Sequence, residues 1–289
     1  MMRKLFFILS VFLVGSYGFR ADRSMPTDIT MCHAPVADGM VAFVNQKEFQ
    51  MAHPIPGALV FNSLAGGEMI SINTTDGQTA QAFSIKAKSK SNKYLFVYQE
   101  WWGLNDHIKA KAEEYYNELG GNVNVLAIDM YEGKVATTRE EAGKLMGSAK
   151  AERLDAIMQG ASNFAGDKAQ IASVGWCFGG GLSLKSALIE GQKAVGCVIY
   201  YGMPVKDVEK LKTLNCDVLG IFAGKEKWIS PEVVKEFDAN MKTAGKTLTY
   251  KIFDAEHGFS NPSNPIYDKA ATAEAYGMSS TYLKKAFGI

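Results

Sequence analysis

Residues 173–181 read Ser-Val-Gly-Trp-Cys-Phe-Gly-Gly-Gly, four glycines around a single cysteine. Glycine loses more backbone freedom on folding than any other residue, so such a cluster needs a geometric or chemical reason. Gly175-Trp176-Cys177-Phe178-Gly179 has the form G-x-nucleophile-x-G. The apolar "QIASVGW" reads as a strand before it, and Phe178–Glu190 reads as a helix after it. At such a junction the nucleophile sits on a sharp, strained turn at the sheet's C-terminal edge. Side chains on the flanking glycines would strike the neighbouring strand and helix, and Gly180 and Gly181 let the helix pack close. Cys177 is therefore the expected nucleophile, its thiolate favoured by the helix N-terminus. The Phe178 N–H is expected to face the developing oxyanion, a donor worth roughly 3 kcal/mol. The competing readings are a phosphate loop and a packing bend that happens to contain a buried cysteine; against the first, no GxGxxG follows a first strand and no GxxxxGK[ST] occurs.

A nucleophile elbow calls for an acid and then a base later in the chain. The histidines are His33, His53, His107 and His257. The first two lie in an irregular N-terminal region and His107 opens a helix before the elbow. His257, in "DAEHGFSN" after the last strand, is the one in position to be the base. Glu226, two residues after Gly224 at a strand end in "IFAGKEKWISPE", is the expected acid. Asp254 is the rival, three residues from His257 and too close in sequence to reach round the ring. No histidine is paired with another His, Cys or acid at metal-ligand spacing, so neither a metal nor another cofactor is expected. Trp101, Trp102 and Trp228 are candidates to line an apolar substrate pocket.

The elements that must hold these residues follow from periodicity. "YLFVYQ", "VNVLAIDM", "QIASVGW", "AVGCVIYY", "CDVLGIFAG" and "LTYKIFD" are compact apolar runs. Helical patterns alternate with them near 105–119, 138–146, 149–164, 178–190, 231–244 and 267–287. Near-continuous apolar strands between helices predict an α/β fold, a mainly parallel sheet covered on both faces. Short strands at 68–73 and 81–86 form a prelude. Residues 68–289 are expected to make one domain, and residues 19–67, punctuated by Pro26, Pro35, Pro54 and Pro56, an irregular extension.

With 31 basic and 30 acidic residues the charge is near balance, which points away from nucleic-acid partners and polybasic membrane patches. Met1-Met2-Arg3-Lys4, the apolar run to Gly15 and the small residues of Ser16-Tyr17-Gly18 predict a signal peptide over residues 1–18. Export is expected, periplasmic or secreted, with no stable membrane insertion after cleavage. Of Cys32, Cys177, Cys197 and Cys216, a Cys197–Cys216 bridge is conceivable, with buried thiols preferred.

Together, "YQEWWGLNDHIK", "AIDMYEGK", "GWCFGGGLSLKSA", "FAGKEKWISP" and "EHGFS" resemble the dienelactone hydrolase family, α/β-hydrolases with a Cys-His-Asp triad. The resemblance implies Cys177 as nucleophile, His257 as base and Glu226 as acid in place of the family's Asp. It implies that Glu100 contacts the thiol in the resting enzyme and that the Trp101 N–H is the second oxyanion donor. It also implies substrate contacts from position 261, where the family's carboxylate-binding Arg is Asn261, and from Arg139. Losing that Arg weakens recognition of a substrate carboxylate. The expected activity is hydrolysis of a small ester or lactone through an acyl-enzyme. A thioesterase or acyltransferase with the same triad, or a catalytically silent binding protein, are the alternatives.

Overall fold

The computed structural model describes residues 38–289, and the expected signal peptide and Cys32 lie outside them. Eight strands form one sheet: β1 (Glu68–Asn73), β2 (Thr79–Ile85), β3 (Lys93–Tyr98), β4 (Asn124–Ile128), β5 (Gln170–Trp176), β6 (Ala194–Tyr200), β7 (Val218–Ala223) and β8 (Leu248–Phe253). Their order is β1-β2-β4-β3-β5-β6-β7-β8. β2 is antiparallel to both its neighbours, and from β4 to β8 every pairing is parallel. β5, β6 and β7 are buried along almost their whole length, as strands covered on both faces require.

The helices are α1 (Asp38–Val41), α2 (Lys47–Met51), α3 (Asp106–Glu118), α4 (Arg139–Ser148), α5 (Ala151–Ala165), α6 (Phe178–Glu190), α7 (Val208–Lys212), α8 (Pro231–Thr243) and α9 (Lys269–Phe287). Sequence chemistry sets several starts. The Asn105 side chain accepts the Ile108 N–H at the head of α3. Thr138 and Glu141 close a capping box on α4. α6, the helix behind the elbow, is buried on nearly every face; Ser183 Oγ on it donates to the Val198 carbonyl of β6 at 2.9 Å.

The chain leaves β3 for β4 on one side and reaches β5 on the other. The order of connection therefore reverses at β3, and the crevice beyond the C-terminal ends of β3 and β5 is where open α/β sheets bind ligands. Gln99–Trp101 and Cys177 lie there.

The N-terminal extension, read as irregular, contains α1 and α2. Met40, Val44 and Phe49 are buried, and full burial of a phenylalanine stabilises such docking by about 2–3 kcal/mol. Residues 57–64 then run over α3. The Phe61 N–H donates to Asp106 Oδ2 at 3.1 Å and the Leu64 N–H to Glu113 Oε1 at 3.0 Å. Cys197 and Cys216 are free thiols.

Glu190, closing α6, carries a pH-dependent cost. Burial raises its pKa from 4.5 to about 7, against the opposing pull of the Ser162 hydroxyl and Lys193. Between those values the folded chain keeps a proton the unfolded chain has lost. Stability is therefore whole below about pH 4.5 and falls as pH rises through 7, by about 3 kcal/mol. Glu190→Gln is expected to leave the Tm nearly unchanged at pH 5 and to raise it at pH 8, read by thermal unfolding at both.

Candidate active site

Cys177 sits at φ 56°, ψ −120°, in the left-handed half of backbone space, between β5 and α6. A Cβ on Gly175 would lie 2.0 Å from the Gly179 carbonyl oxygen. One on Gly179 would lie 2.4 Å from the Gln99 oxygen, and one on Gly180 2.8 Å from Gly202 Cα. These are backbone atoms that cannot step aside, so the turn needs glycine there. Gly181 is less constrained, 3.3 Å from the Met203 oxygen.

His257 lies in the turn after β8, beside Gly258 at φ 81°. Its Nδ1 donates to Glu226 Oε2 at 2.7 Å, and Glu226 Oε1 accepts the Ile229 N–H at 2.9 Å. Both side chains are buried. Asp254, the rival acid, is instead exposed and paired with Lys225 at 3.0 Å. With Nδ1 committed to Glu226, Nε2 is the nitrogen left for the thiol, and the His257 ring offers a nitrogen within 4.8 Å of Sγ. The Tyr201 ring packs 4.9 Å from the imidazole and its hydroxyl meets Ser260 Oγ at 2.7 Å.

Burial alone would lower the His257 pKa; the Glu226 and Cys177 charges outweigh it and hold it well above the usual value. Burial likewise pushes the Cys177 thiol up, against the pulls of His257 and the Phe178 N–H. The pair thus divides one proton between sulfur and nitrogen under the control of a buried carboxylate.

The resemblance placed Glu100 against the thiol. In the structure its carboxylate accepts the Asn261 side-chain amide at 2.9 Å, and burial raises its pKa to about 7. The thiol meets His53, a residue that sequence reasoning assigned no role. Cys177 Sγ is 3.4 Å from His53 Nε2. His53 Nδ1 donates to the Phe49 carbonyl at 2.6 Å, which leaves Nε2 as acceptor for the S–H. Burial first, then the His257 charge, keeps His53 well below its ordinary pKa and hence neutral. The only local signal for it is the apolar set Met40, Val44 and Phe49 just upstream.

Other candidate substrate residues are committed elsewhere. Arg139 Nε donates to the His53 carbonyl at 2.9 Å. Trp228 and Trp101 pack edge-on against Phe49 at 5.2 and 5.6 Å, and Trp102 against Trp101 at 5.0 Å. The cleft reaching Glu100 is lined instead by Trp176, Tyr201, Ser260, Asn261 and Pro262, and holds about 30 Å³, the space of a single water. The aromatic residues lining this cleft are Trp176 and Tyr201, while Phe49 of the extension packs against the rings of Trp101 and Trp228.

Spacing along the chain pointed to no metal-ligand set. The fold nevertheless gathers His53, Cys177 and His257, with donor atoms all within 4.8 Å of one another. No helix among the described residues is long and apolar enough to cross a membrane.

This sheet order, with a cysteine on the strand–helix turn and a buried His–Glu pair beside it, defines an α/β-hydrolase fold. Residues 80–287 match the model of the Dienelactone hydrolase family, and the chain belongs to that family. It is 24% identical over 201 residues to a protein of Aquifex aeolicus (strain VF5) that carries the provisional name carboxymethylenebutenolidase, covering 66% of this chain and 87% of that one. Among solved structures, a dienelactone hydrolase-like promiscuous phosphotriesterase, P91, from metagenomic libraries superposes with a TM-score of 0.63 at 21% identity, over 76% of this chain and 98% of that one. A provisionally named dienelactone hydrolase from Klebsiella pneumoniae subsp. pneumoniae MGH 78578 gives 0.64 at 19%, over 75% and 97%. The chain is a hydrolase of dienelactone hydrolase type, acting on a small molecule.

Proposed function

We propose that the protein is an exported carboxylic-ester hydrolase working through a Cys177 acyl-enzyme. The observation that carries this reading is the buried His257–Glu226 bond of 2.7 Å, which turns the Nε2 lone pair toward the elbow thiol. His257 takes the thiol proton as Sγ adds to the ester carbonyl. The Phe178 and Trp101 N–H groups receive the oxyanion. The tetrahedral adduct collapses, His257 protonates the departing alkoxide, and a thioester to Cys177 remains. Water then attacks, giving its proton to His257; carboxylate leaves and the thiol is restored.

The substrate is inferred to be a small neutral ester or lactone. Asn261 is turned to Glu100 and Arg139 to a backbone carbonyl. Lys111, beside the cleft, is paired with Glu114. None of the three offers a free cation to a substrate carboxylate. Export is supported by the charged start and apolar run of residues 1–15, and the mature chain should begin near Phe19, read by N-terminal sequencing of protein from the native host.

The test is a panel of short-chain chromogenic esters. Glu226→Gln loses the carboxylate that sets the imidazole tautomer, and its kcat/KM is expected to fall about 10²- to 10⁴-fold. Asp254→Asn is expected to stay within about twofold, as an exposed group with a surface partner. Equal losses in both variants, or none in Glu226→Gln, would overturn the assignment of the acid.

A further inference from the structure

We propose that His53, Cys177 and His257 together form a binding site for a thiophilic, borderline-soft metal ion, Zn²⁺ foremost, completed by the N-terminal extension. Coordination follows from donor geometry. That the bound ion would also silence the enzyme rests on the reading of Cys177 and His257 as nucleophile and base.

Three features carry the site. The donor set is one thiol sulfur and two imidazole nitrogens, which suits Zn²⁺, Co²⁺ and Cu⁺ and disfavours Ca²⁺ and Mg²⁺. Each histidine is already arranged as a metal-bound imidazole is. Its Nδ1 donates outward, to the Phe49 carbonyl for His53 and to the Glu226 carboxylate for His257, leaving Nε2 to present its lone pair inward. Finally, His257 Nε2 is buried and lacks a hydrogen-bond partner. Of the two ring nitrogens, His53 Nε2 has the close approach to Sγ, 3.4 Å, and an ion held among the three donors would satisfy His257 Nε2 as well.

The spacing fits. Tetrahedral bonds of about 2.1 Å to nitrogen and 2.3 Å to sulfur put donors roughly 3.5 Å apart. Sγ and His53 Nε2 stand at 3.4 Å, and no pair among the three exceeds 4.8 Å. Contraction by about 1 Å closes the set, and His53 lies two residues beyond the short helix α2, which is docked from outside the sheet. Binding is balanced without any redox partner. The ion sheds waters, Sγ replaces its proton with the metal, and that proton goes to solvent. That is the one proton Cys177 shares with His257, and neutral His53 releases none. The fourth position is left to water or a small anion.

Cobalt reports the site directly. The reduced full chain, stripped of metal and held under argon, is titrated with Co²⁺ and then with Zn²⁺. One equivalent of cobalt is expected to give thiolate-to-cobalt absorption in the near ultraviolet and the intense visible bands of four-coordinate Co²⁺, which Zn²⁺ then bleaches. Loss of a residue that merely orients a ligand costs 10- to 100-fold in affinity, so removing a ligand in His53→Ala should cost at least about 100-fold. His53→Gln, which preserves bulk and polarity in the extension, should lose the bands too, with far-ultraviolet circular dichroism confirming an intact fold. Absent thiolate absorption in the wild type, or undiminished bands in both His53 variants, would overturn the proposal. Ester hydrolysis by the metal-free wild type is measured in parallel. Cobalt bands without hydrolysis would leave the metal site standing and remove the esterase reading; hydrolysis without bands would do the reverse.

Discussion

Cys177→Ala is expected to abolish ester hydrolysis, lowering kcat about 10⁴-fold or more, while unfolding at nearly the wild-type Tm. The thiol is buried, but Ala keeps the Cβ and the turn is held by glycines and backbone hydrogen bonds: the Cys177 N–H donates to the Tyr200 carbonyl at 3.0 Å, and the Cys177 carbonyl accepts from Gly180 at 2.9 Å. Because nucleophile and base act as a unit, removing the second after the first costs little more. The informative partner is His257→Asn, whose amide retains a donor for the buried Glu226 carboxylate; deleting the ring outright would strand that charge and unsettle the loop. Cys177→Ala/His257→Asn should therefore fall within a fewfold of Cys177→Ala alone, read as kcat/KM on a short-chain chromogenic ester. Losses that instead multiply would mean the two residues act independently, and the shared proton between them would not be the basis of activity.

Gly179→Ala is the substitution expected to damage the fold most. The added Cβ would lie 2.4 Å from the Gln99 oxygen and 2.5 Å from the Tyr98 oxygen, both on the backbone at the end of β3. Relief requires α6 to back away from the sheet, opening contacts along a helix buried on nearly all sides. A destabilisation above about 4 kcal/mol is expected, at the exceptional end for single substitutions. Gly277→Ala, in the middle of α9, is the contrast: nothing lies within 4 Å of its added Cβ, so the helix-propensity gain of roughly 0.5–1 kcal/mol should appear as added stability. Urea unfolding of both variants reads the pair. A mild effect at Gly179 would mean that the elbow is not held by close approach of β3 and α6.

Local chemistry explains what was legible beforehand. Apolar strands between helices at short intervals leave few arrangements besides a covered parallel sheet, and the strand–Gly–Cys–Gly–helix passage locates its own turn. The order nucleophile, acid, base led to Glu226 and His257, and the fold brings these side chains to hydrogen-bonding distance. His53 was not legible. It reaches Cys177 across 124 residues, from a proline-punctuated stretch whose short helices carry little periodicity, and only tertiary docking of Phe49 between Trp101 and Trp228 decides where it points. The same docking sets Phe49 against Trp101 and Trp228 and places the His53 carbonyl where Arg139 reaches it. Asn261 was noticed for the arginine it replaces, but its actual partner, Glu100, lies 161 residues away, and no spacing rule connects them.

A covalent acyl-enzyme on Cys177 should be trapped by rapid-quench mass spectrometry of the intact protein during turnover of a chromogenic acetate ester. One acetyl group per chain is expected, mapped by peptide analysis to Cys177, discharged on standing and absent in Cys177→Ala. Turnover that continues after Cys177 is alkylated, or an acyl group mapped to another residue, would contradict it.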